Sequence, residues 1–185
     1  IGRHLIETEA LLTDPNFHRL ISSGLLRVDP YGKFYPDIGA FVPELENEGI
    51  SADGKTYTFR IKSNLKWSDG GPIQAAQILE LILTNSGMVD SSIRDNFMGK
   101  LDISGSKVID VQTLVIALNE PFPELLTLMS SPSMFPTRNF QADSFSSTPT
   151  YGPYRMSEWT EEKVVLIANE DWRDDIGTFT SHEIK

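Results

Sequence analysis

The sequence predicts a mixed α+β fold, and three features of its hydrophobic pattern carry this prediction. Residues 55–62 alternate strictly between polar and apolar side chains, which is typical of a half-buried strand. Residues 74–85 place apolar side chains at helical spacing. The predicted strands and helices follow one another without a regular βαβ rhythm, which favours mixed sheets with flanking helices over a doubly wound parallel sheet.

The first predicted helix begins after Asp14. Asp14 is a favourable N-cap, and Pro15 suits the first helical position because its missing N–H would have no partner there. Phe17 and Ile21 then fall on one face of the helix. Gly24 predicts the end of this helix.

The next segments predict short strands joined by turns. Residues 25–28 read as a strand, and residues 29–32 as a turn rich in Asp, Pro and Gly. Residues 52–54 supply a hairpin turn before the alternating strand at 55–62. The sequence therefore predicts that residues 44–49 pair with that strand.

The middle of the chain predicts two helices and two strands. Residues 74–85 form the first helix, and residues 87–99 read as a loop with a short helix. Residues 107–110 and 112–118 predict strands, the second rich in β-branched side chains. Residues 121–130 predict a short helix with a proline near its start.

The last part predicts a loop followed by a hairpin. Residues 141–150 are rich in Ser and Thr and low in hydrophobicity, which predicts an exposed loop. Residues 154–159 and 163–168 predict two strands joined by the turn at residues 160–162.

Composition excludes several classes of function. The chain of 185 residues is long enough for a sizeable core. Its formal net charge of −10 argues against nucleic acid and anionic membrane surfaces, which require clustered Lys and Arg. There is no cysteine, so disulfides and thiolate chemistry are excluded. No apolar run approaches the roughly 18 residues that a spanning helix needs.

No constellation of residues predicts catalysis or metal binding. His4, His18 and His182 are scattered and have no ligand partner at helical spacing. The acidic pairs at residues 161–162 and 174–175 are adjacent in sequence, so they are interpreted as exposed turn charges rather than an acid–base pair. The sequence also lacks the G-x-S-x-G elbow, the P-loop and the dinucleotide fingerprint.

Two neighbouring segments resemble a known signature. Residues 53–62 read D-G-K-T-Y-T-F-R-I-K, and residues 66–70 read K-W-S-D-G. Together they resemble the D-G-K-x-Y-T-F-x-L-R-x-x-V-K-W-S-D-G-T-P stretch of the family 5 extracellular solute-binding proteins, which include the oligopeptide- and dipeptide-binding components of ABC importers.

Four further segments resemble the same family in the same order. Residues 24–32 are similar to E-G-L-x-x-x-D-x-x-G, and residues 72–78 to T-P-V-T-A-E-D-V. Residues 107–128 are similar to V-x-A-L-D-D-Y-T-V-x-x-x-L-x-x-P-x-P-x-x-L. Residues 152–169 resemble G-P-Y-x-L-x-x-W with its following strand. The ordered series makes the resemblance much more specific than any one segment.

The chain departs from the family pattern in three places. Ile73 and Gln74 stand where the family has a Thr N-cap, and Ile is a poor cap. Residues 169–172 are one residue shorter than the family's N-P-x-Y-W. The opposing lobe and the usual anchors for the charged ends of a peptide would lie beyond Lys185, so we expect the chain to be one piece of a longer binding protein.

The resemblance implies a fold and a function. It implies the smaller N-terminal lobe of a periplasmic-binding-protein-like type II fold at residues 1–150, and a strand pair of the main lobe at residues 151–185. It implies capture of peptides or similar small solutes by hinge closure, followed by docking on an ABC permease. It further implies a non-enzymatic protein outside the cytoplasm, in the periplasm or at the cell surface, with a lipid anchor as an option for the full-length parent. We expect no cofactor, and the charge and the scattered histidines predict no nucleic acid and no metal.

The same resemblance suggests ligand-binding residues. Phe97 and Arg94 correspond to a stretch where the family often places an aromatic residue near the ligand, and Leu11 and Leu12 lie in a loop that lines the cleft by the same counting. Core packing is the alternative for Phe97, and a solvated surface charge is the alternative for Arg94.

The remaining motif residues are interpreted as structural. Aromatic side chains of this kind mostly pack in cores, and Asp-Gly pairs mostly form turns. The residues concerned are Trp67, Asp69, Gly70, Gly152, Tyr154 and Trp159.

A different class of function stays open. The chain could be a stand-alone interaction or sensor domain that derives from the binding-protein fold and has no role in transport. A third class, a hydrolase, would need a clustered nucleophile and base, which the sequence does not offer.

Overall fold

The computed structural model describes most of the chain. It covers residues 14–84, 91–136, 149–160, 163–170, 172 and 182–184, with the side chains of residues 84, 91–94, 96, 133 and 182–184 outside this description. The elements are α1 (Pro15–Ile21), β1 (Leu26–Val28), β2 (Phe34–Pro36), β3 (Thr56–Arg60), α2 (Ala75–Thr84), α3 (Ser91–Lys100), β4 (Leu101–Val108), β5 (Thr113–Leu118), α4 (Leu125–Met129), a 3₁₀ turn (Pro132–Met134), β6 (Tyr154–Trp159), β7 (Val164–Ala168) and β8 (His182–Ile184).

The chain folds into two compact units. The three-segment unit comprises Ile1–Ser22, Lys66–Pro72 and Thr137–Lys185, and the two-segment unit comprises Ser23–Leu65 and Ile73–Pro136. The predicted mixture of helices and strands is confirmed. The described strand pairs are all antiparallel, however, so the prediction of mixed sheets is wrong. Short turns join β4 to β5 and β6 to β7, and such turns permit only antiparallel pairing.

The two-segment unit is built on the sheet β3-β5-β4. Tyr57 lies opposite Ile116 and Phe59 opposite Leu114, and all four side chains are buried. The predicted burial of one face of the strand at 55–62 is confirmed. Alternating side chains from two paired strands thus form one wall of a core, as the period of two requires.

Residues 44–49 do not form the predicted partner strand. The side-chain oxygen of Asn47 accepts hydrogen bonds from the main-chain N–H groups of Glu44 and Gly49, at 3.0 Å each, which holds this segment as a turn. Contact with β3 is limited to the end of this segment, where the Thr58 N–H donates to the Gly49 carbonyl at 2.8 Å and Ile50 forms a bridge to Tyr57. The acidic segment itself offers no apolar alternation. The strand β5 pairs along the opposite edge of β3 and buries Leu114 and Ile116 there.

The helices of the two-segment unit match the predicted positions, with changes in length. The predicted apolar face of α2 is buried through Ala75, Ile78, Leu79 and Ile82. The helix α3 is a full element rather than the predicted short helix within a loop, and β4 begins at Leu101 rather than Lys107. The pairing of β4 shifts register between Asp102 and Lys107, and Ile103 is 60% exposed, so the alternation of Leu101 and Ile103 with polar residues does not produce a buried face.

The first helix ends earlier than the sequence predicts. The helix α1 begins as expected, with the Asp14 carboxylate accepting from the Asn16 N–H at 2.8 Å, but its C-cap is Ser22 rather than Gly24. Gly24 serves packing instead. A Cβ at Gly24 would lie 2.6 Å from the Phe135 ring and 2.8 Å from the Met129 carbonyl oxygen, so only glycine fits.

The three-segment unit contains α1 and the sheet β6-β7-β8. The predicted hairpin of β6 and β7 is confirmed. The strand β8 was not predicted, since three residues are too few to show a pattern. The acidic pairs at 161–162 and 174–175 lie outside the described residues. In the described part of the chain, no helix has the length and apolar content that crossing a membrane requires.

Candidate functional site

The Trp67–Gly70 motif forms a closed turn in the three-segment unit. The Trp67 N–H donates to the Gly71 carbonyl at 2.8 Å, and the Gly70 N–H donates to the Trp67 carbonyl at 2.8 Å. The Asp69 carboxylate accepts from the Gly71 N–H at 2.9 Å, and Gly70 has a φ of +83°. Asp69 and Gly70 therefore have the geometry of a turn. The Trp67 side chain is fully buried.

A pair of hydrogen bonds joins this turn to a distant part of the chain. The Ser68 N–H donates to the Thr150 carbonyl at 2.9 Å, and the Thr150 N–H donates to the Ser68 hydroxyl at 3.1 Å. Thr150 is only 1% exposed. The prediction of an exposed loop over residues 141–150 is therefore wrong at Thr150, and residues 141–148 lie outside the described residues. A partner 82 positions away leaves no local signal in the sequence.

Gly152 allows the chain to pass directly over the end of α1. A Cβ at Gly152 would lie 2.3 Å from the carbonyl carbon of Ile21 and 2.4 Å from the nitrogen of Ser22. The side chain of Asn169 donates to the Gly152 carbonyl at 2.9 Å, and its main-chain N–H donates to the Pro153 carbonyl at 2.9 Å. A close backbone contact and a buried amide thus fix the start of β6.

Tyr154 and Trp159 pack on a small hydrophobic core. The rings of Trp159 and Phe17 meet edge to face, with centroids 5.9 Å apart. Such aromatic pairs contribute beyond the area they bury. The core consists of Phe17, Ile21, Val164 and Leu166, with Leu20, Tyr154, Met156 and Trp159 packed against it.

The three-segment unit therefore collects all six residues that the sequence analysis interprets as structural. It also contains Thr150 and Asn169, which the sequence analysis did not single out. Asn169 sits beside the G-P-Y segment only because the β6–β7 hairpin returns the chain to its start. The sequence signal that could have identified Asn169 is its place at the end of residues 152–169, the segment that resembles the family pattern.

The predicted ligand-binding residues have a different placement. Phe97 belongs to the two-segment unit, is fully buried and stacks on Phe122 with ring centroids 6.0 Å apart. The Lys100 ammonium lies 5.2 Å from the centroid of the Phe122 ring. Leu11 and Leu12 lie outside the described residues, and so does the side chain of Arg94. Their roles in ligand binding stay predictions.

The charged groups of the structure are arranged for turns rather than for proton transfer. A hydrogen bond from the Lys33 N–H lowers the pKa of Asp29, and one from the Ser51 hydroxyl lowers the pKa of Asp53. Lowered values keep a carboxyl ionised, which is the opposite of what a general acid needs. Within the described residues, no group of three or more His, Asp or Glu side chains is placed to hold a metal ion.

Residues 40–182 match the family model described as "Bacterial extracellular solute-binding proteins, family 5 Middle". The chain belongs to this family. The match confirms the resemblance that the sequence shows to this family. The family is non-enzymatic.

Two of the relatives that this chain resembles are named as peptide-binding proteins. The dipeptide-binding protein DppE of Bacillus subtilis is 27% identical in an alignment of 161 residues that covers 76% of this chain and 30% of that protein. The periplasmic oligopeptide-binding protein OppA of Salmonella typhimurium is 28% identical in an alignment of 188 residues that covers 89% of this chain and 33% of that protein. The chain thus spans about a third of the length of these relatives.

Solved structures share the fold. An ABC transporter substrate-binding protein from Sinorhizobium meliloti superposes with a TM-score of 0.72 at 18% identity, covering 90% of this chain and 33% of that one. The Haemophilus influenzae OppA complex with the peptide RPPGFSPFR superposes with a TM-score of 0.66 at 19% identity, covering 87% and 35%. The described fold therefore corresponds to one part of a solute-binding protein.

Proposed function

We propose that this chain is part of an extracytoplasmic solute-binding protein that captures peptides or similar small solutes for an ABC importer. The family match over residues 40–182 carries the proposal, because it extends through both compact units. Relatives named for dipeptide and oligopeptide binding support peptides as the solute class. The family resemblance supports a location outside the cytoplasm.

In this proposal the chain forms one side of a cleft in a longer parent protein. Residues 1–150 contribute the smaller N-terminal lobe of a type II binding-protein fold, and residues 151–185 contribute to the main lobe. This division follows the family resemblance, whereas the compact units of the structure have other boundaries. The parent closes on its ligand by hinge motion and then docks on the permease.

Recognition in such a cleft relies on the peptide main chain. An extended peptide can be held by hydrogen bonds to its backbone, in the manner of an added strand, so that many side chains are accepted. Arg94, Leu11 and Leu12 are the proposed ligand contacts. Phe97 has no exposed surface here, so contact with a ligand would require its ring to leave the stack on Phe122.

Native mass spectrometry tests whether this chain holds a site by itself. The freshly purified chain is measured before and after addition of a mixed library of peptides two to five residues long. A library with acetylated N-termini and amidated C-termini serves as the control for recognition of charged ends. A retained or acquired peptide mass supports peptide capture.

A pair of variants locates the site. Arg94→Gln should weaken the acquired peptide signal if Arg94 contacts the ligand. Arg155→Gln removes an exposed cation on β6 and should leave the signal unchanged. Equal signals from both variants would contradict the role of Arg94 while leaving peptide capture intact.

An apo mass in all samples moves the test to the full-length parent. If the parent also acquires no peptide, peptide capture is wrong, and the stand-alone interaction or sensor domain becomes the better reading. If the parent binds, the chain supplies only one side of the cleft.

A further inference from the structure

The turn between β1 and β2 presents an aromatic side chain to solvent on a tightly held frame. Tyr31 is 96% exposed. One carboxylate oxygen of Asp29 accepts from the Tyr31 N–H at 2.8 Å and from the Lys33 N–H at 2.9 Å, and the other accepts from the Tyr35 hydroxyl at 3.2 Å. The hydrogen bonds therefore hold the main chain of the turn before any partner binds, and a tyrosine side chain with two χ angles loses little conformational entropy on binding.

Two cations flank the same hairpin. The Arg27 guanidinium carbon lies 5.3 Å from the centroid of the Tyr35 ring, and the Lys33 ammonium nitrogen lies 5.1 Å from it. Both residues are exposed. The Asp29 carboxylate lies in the same turn, and its attraction to Lys33 contributes, after the hydrogen bonds of the turn, to lowering the pKa of Asp29.

We propose that the hairpin surface formed by Arg27, Tyr31 and Lys33 binds an acidic segment of a partner protein. Exposed Tyr and Arg side chains are enriched where proteins bind one another, and exposed cations attract carboxylates. Arg27 and Lys33 outweigh the ionised Asp29 carboxylate of the same hairpin, so this surface is locally positive on a chain whose net charge is −10.

The charge distribution favours a protein segment over a lipid surface. A broad anionic membrane would repel the acidic remainder of the chain at the same time as it attracted the hairpin. A short acidic segment can contact two cations and one ring without bringing other negative charge close. This inference is independent of the proposed capture of peptides in a cleft.

Amide NMR of the full chain, with a short Glu- and Asp-rich peptide as the probe, tests the proposal. The same peptide with Gln and Asn in place of its acidic residues is the neutral control. Addition of the acidic peptide should shift the amide signals of residues 27–35, and the shifts should weaken between low and high salt. The neutral peptide should leave those signals in place.

Matched variants assign the effect to the hairpin. Each of Arg27→Gln and Lys33→Gln should weaken the binding by roughly two- to fivefold, the range of an exposed ion pair. Tyr31→Ser should weaken it as well. Lys107→Gln, an exposed cation on β4, and Leu45→Ser, an exposed apolar residue on another turn, should have no effect.

Three results would overturn the proposal. The first is the absence of shifts in the hairpin, and the second is an equal loss of binding in Lys107→Gln. The third is stronger binding to vesicles containing phosphatidylglycerol than to the acidic peptide, which would assign the surface to lipid. Retained peptide capture with no hairpin shifts would remove this inference alone.

Discussion

The two compact units both contain contacts between distant parts of the sequence, but they make them in different ways. In the two-segment unit, β3 pairs with β5 at five positions, from Thr56–Ala117 to Arg60–Thr113. In the three-segment unit, Ser68 bonds to Thr150 and Gly152 packs on the end of α1. Each distant contact must offset the ordering of a long intervening chain. A paired strand shares that cost among several hydrogen bonds, so we expect the three-segment unit to depend more heavily on a few residues.

Removal of the Trp67 side chain should have the largest effect. Trp67→Ala is expected to lower the free energy of unfolding by about 3–5 kcal/mol, because a fully buried aromatic side chain leaves a large cavity. Urea unfolding followed by circular dichroism measures the loss. Trp159→Ala is the matched control, and its partly exposed ring should give a smaller loss. Equal losses would mean that burial does not distinguish the two tryptophans.

A side chain at Gly152 should have the next largest effect. Gly152→Ala is expected to lower the free energy of unfolding by about 1–3 kcal/mol, because its Cβ would overlap the backbone at Ile21 and Ser22. Gly99→Ala tests the other unit. No atom lies within 4 Å of a Cβ at Gly99, so this helical position should gain about 0.5–1 kcal/mol. Effects of the same sign would contradict the assigned packing.

Loss of the Ser68 hydroxyl should have a smaller effect. Ser68→Ala removes the acceptor of the Thr150 N–H, and we expect a loss of about 1 kcal/mol in the free energy of unfolding. Ser157→Ala, at an exposed position of β6, should change it by less than about 0.5 kcal/mol. Thermal unfolding of both variants gives the comparison, and indistinguishable midpoints would show that water replaces the hydroxyl without cost.

A fall in pH should slightly lower the stability of the two-segment unit. The hydroxyl of Ser104 and then the N–H of Gly105 lower the pKa of Asp102 below its usual 3.8. Since the folded-state pKa is lowered, this stabilisation is present above about pH 3.8 and is lost as the pH falls through the lower folded-state value.

Amide NMR between pH 5 and pH 3 follows this loss. The signals of residues 102–106 should move as the carboxyl takes up its proton. In Asp102→Asn they should no longer follow that titration. If the amide signals of residues 102–106 keep the same pH dependence in Asp102→Asn, a group other than Asp102 controls the bulge.

The elements that the sequence predicts correctly are those whose signals lie in neighbouring residues. The alternation at residues 55–62 predicted the buried positions Tyr57 and Phe59, and the helical spacing after Gln74 predicted the buried face of α2. Asp14 and Pro15 predicted the start of α1 for the same kind of reason. The ordered motifs identified the family, because motif order survives where overall identity is low.

The sequence does not show which strand pairs with which. The alternation at residues 55–62 does not show that the long pairing of β3 is with β5, because pairing depends on which apolar faces can be buried together. The short strand β2 has too few residues to show a pattern, and the start of β4 was missed although Leu101 and Ile103 alternate with polar residues.

The sequence by itself determined the family, the start of α1 and the apolar faces of β3 and α2, because the signal for each lies in neighbouring residues. Only the tertiary structure decided that Thr150 is buried against Ser68 and that Gly152 lies on the backbone of α1. It also decided that Phe97 stacks on Phe122. These contacts join residues separated by long stretches of chain, and their stability comes from close packing and satisfied hydrogen bonds that form only when the whole core is assembled.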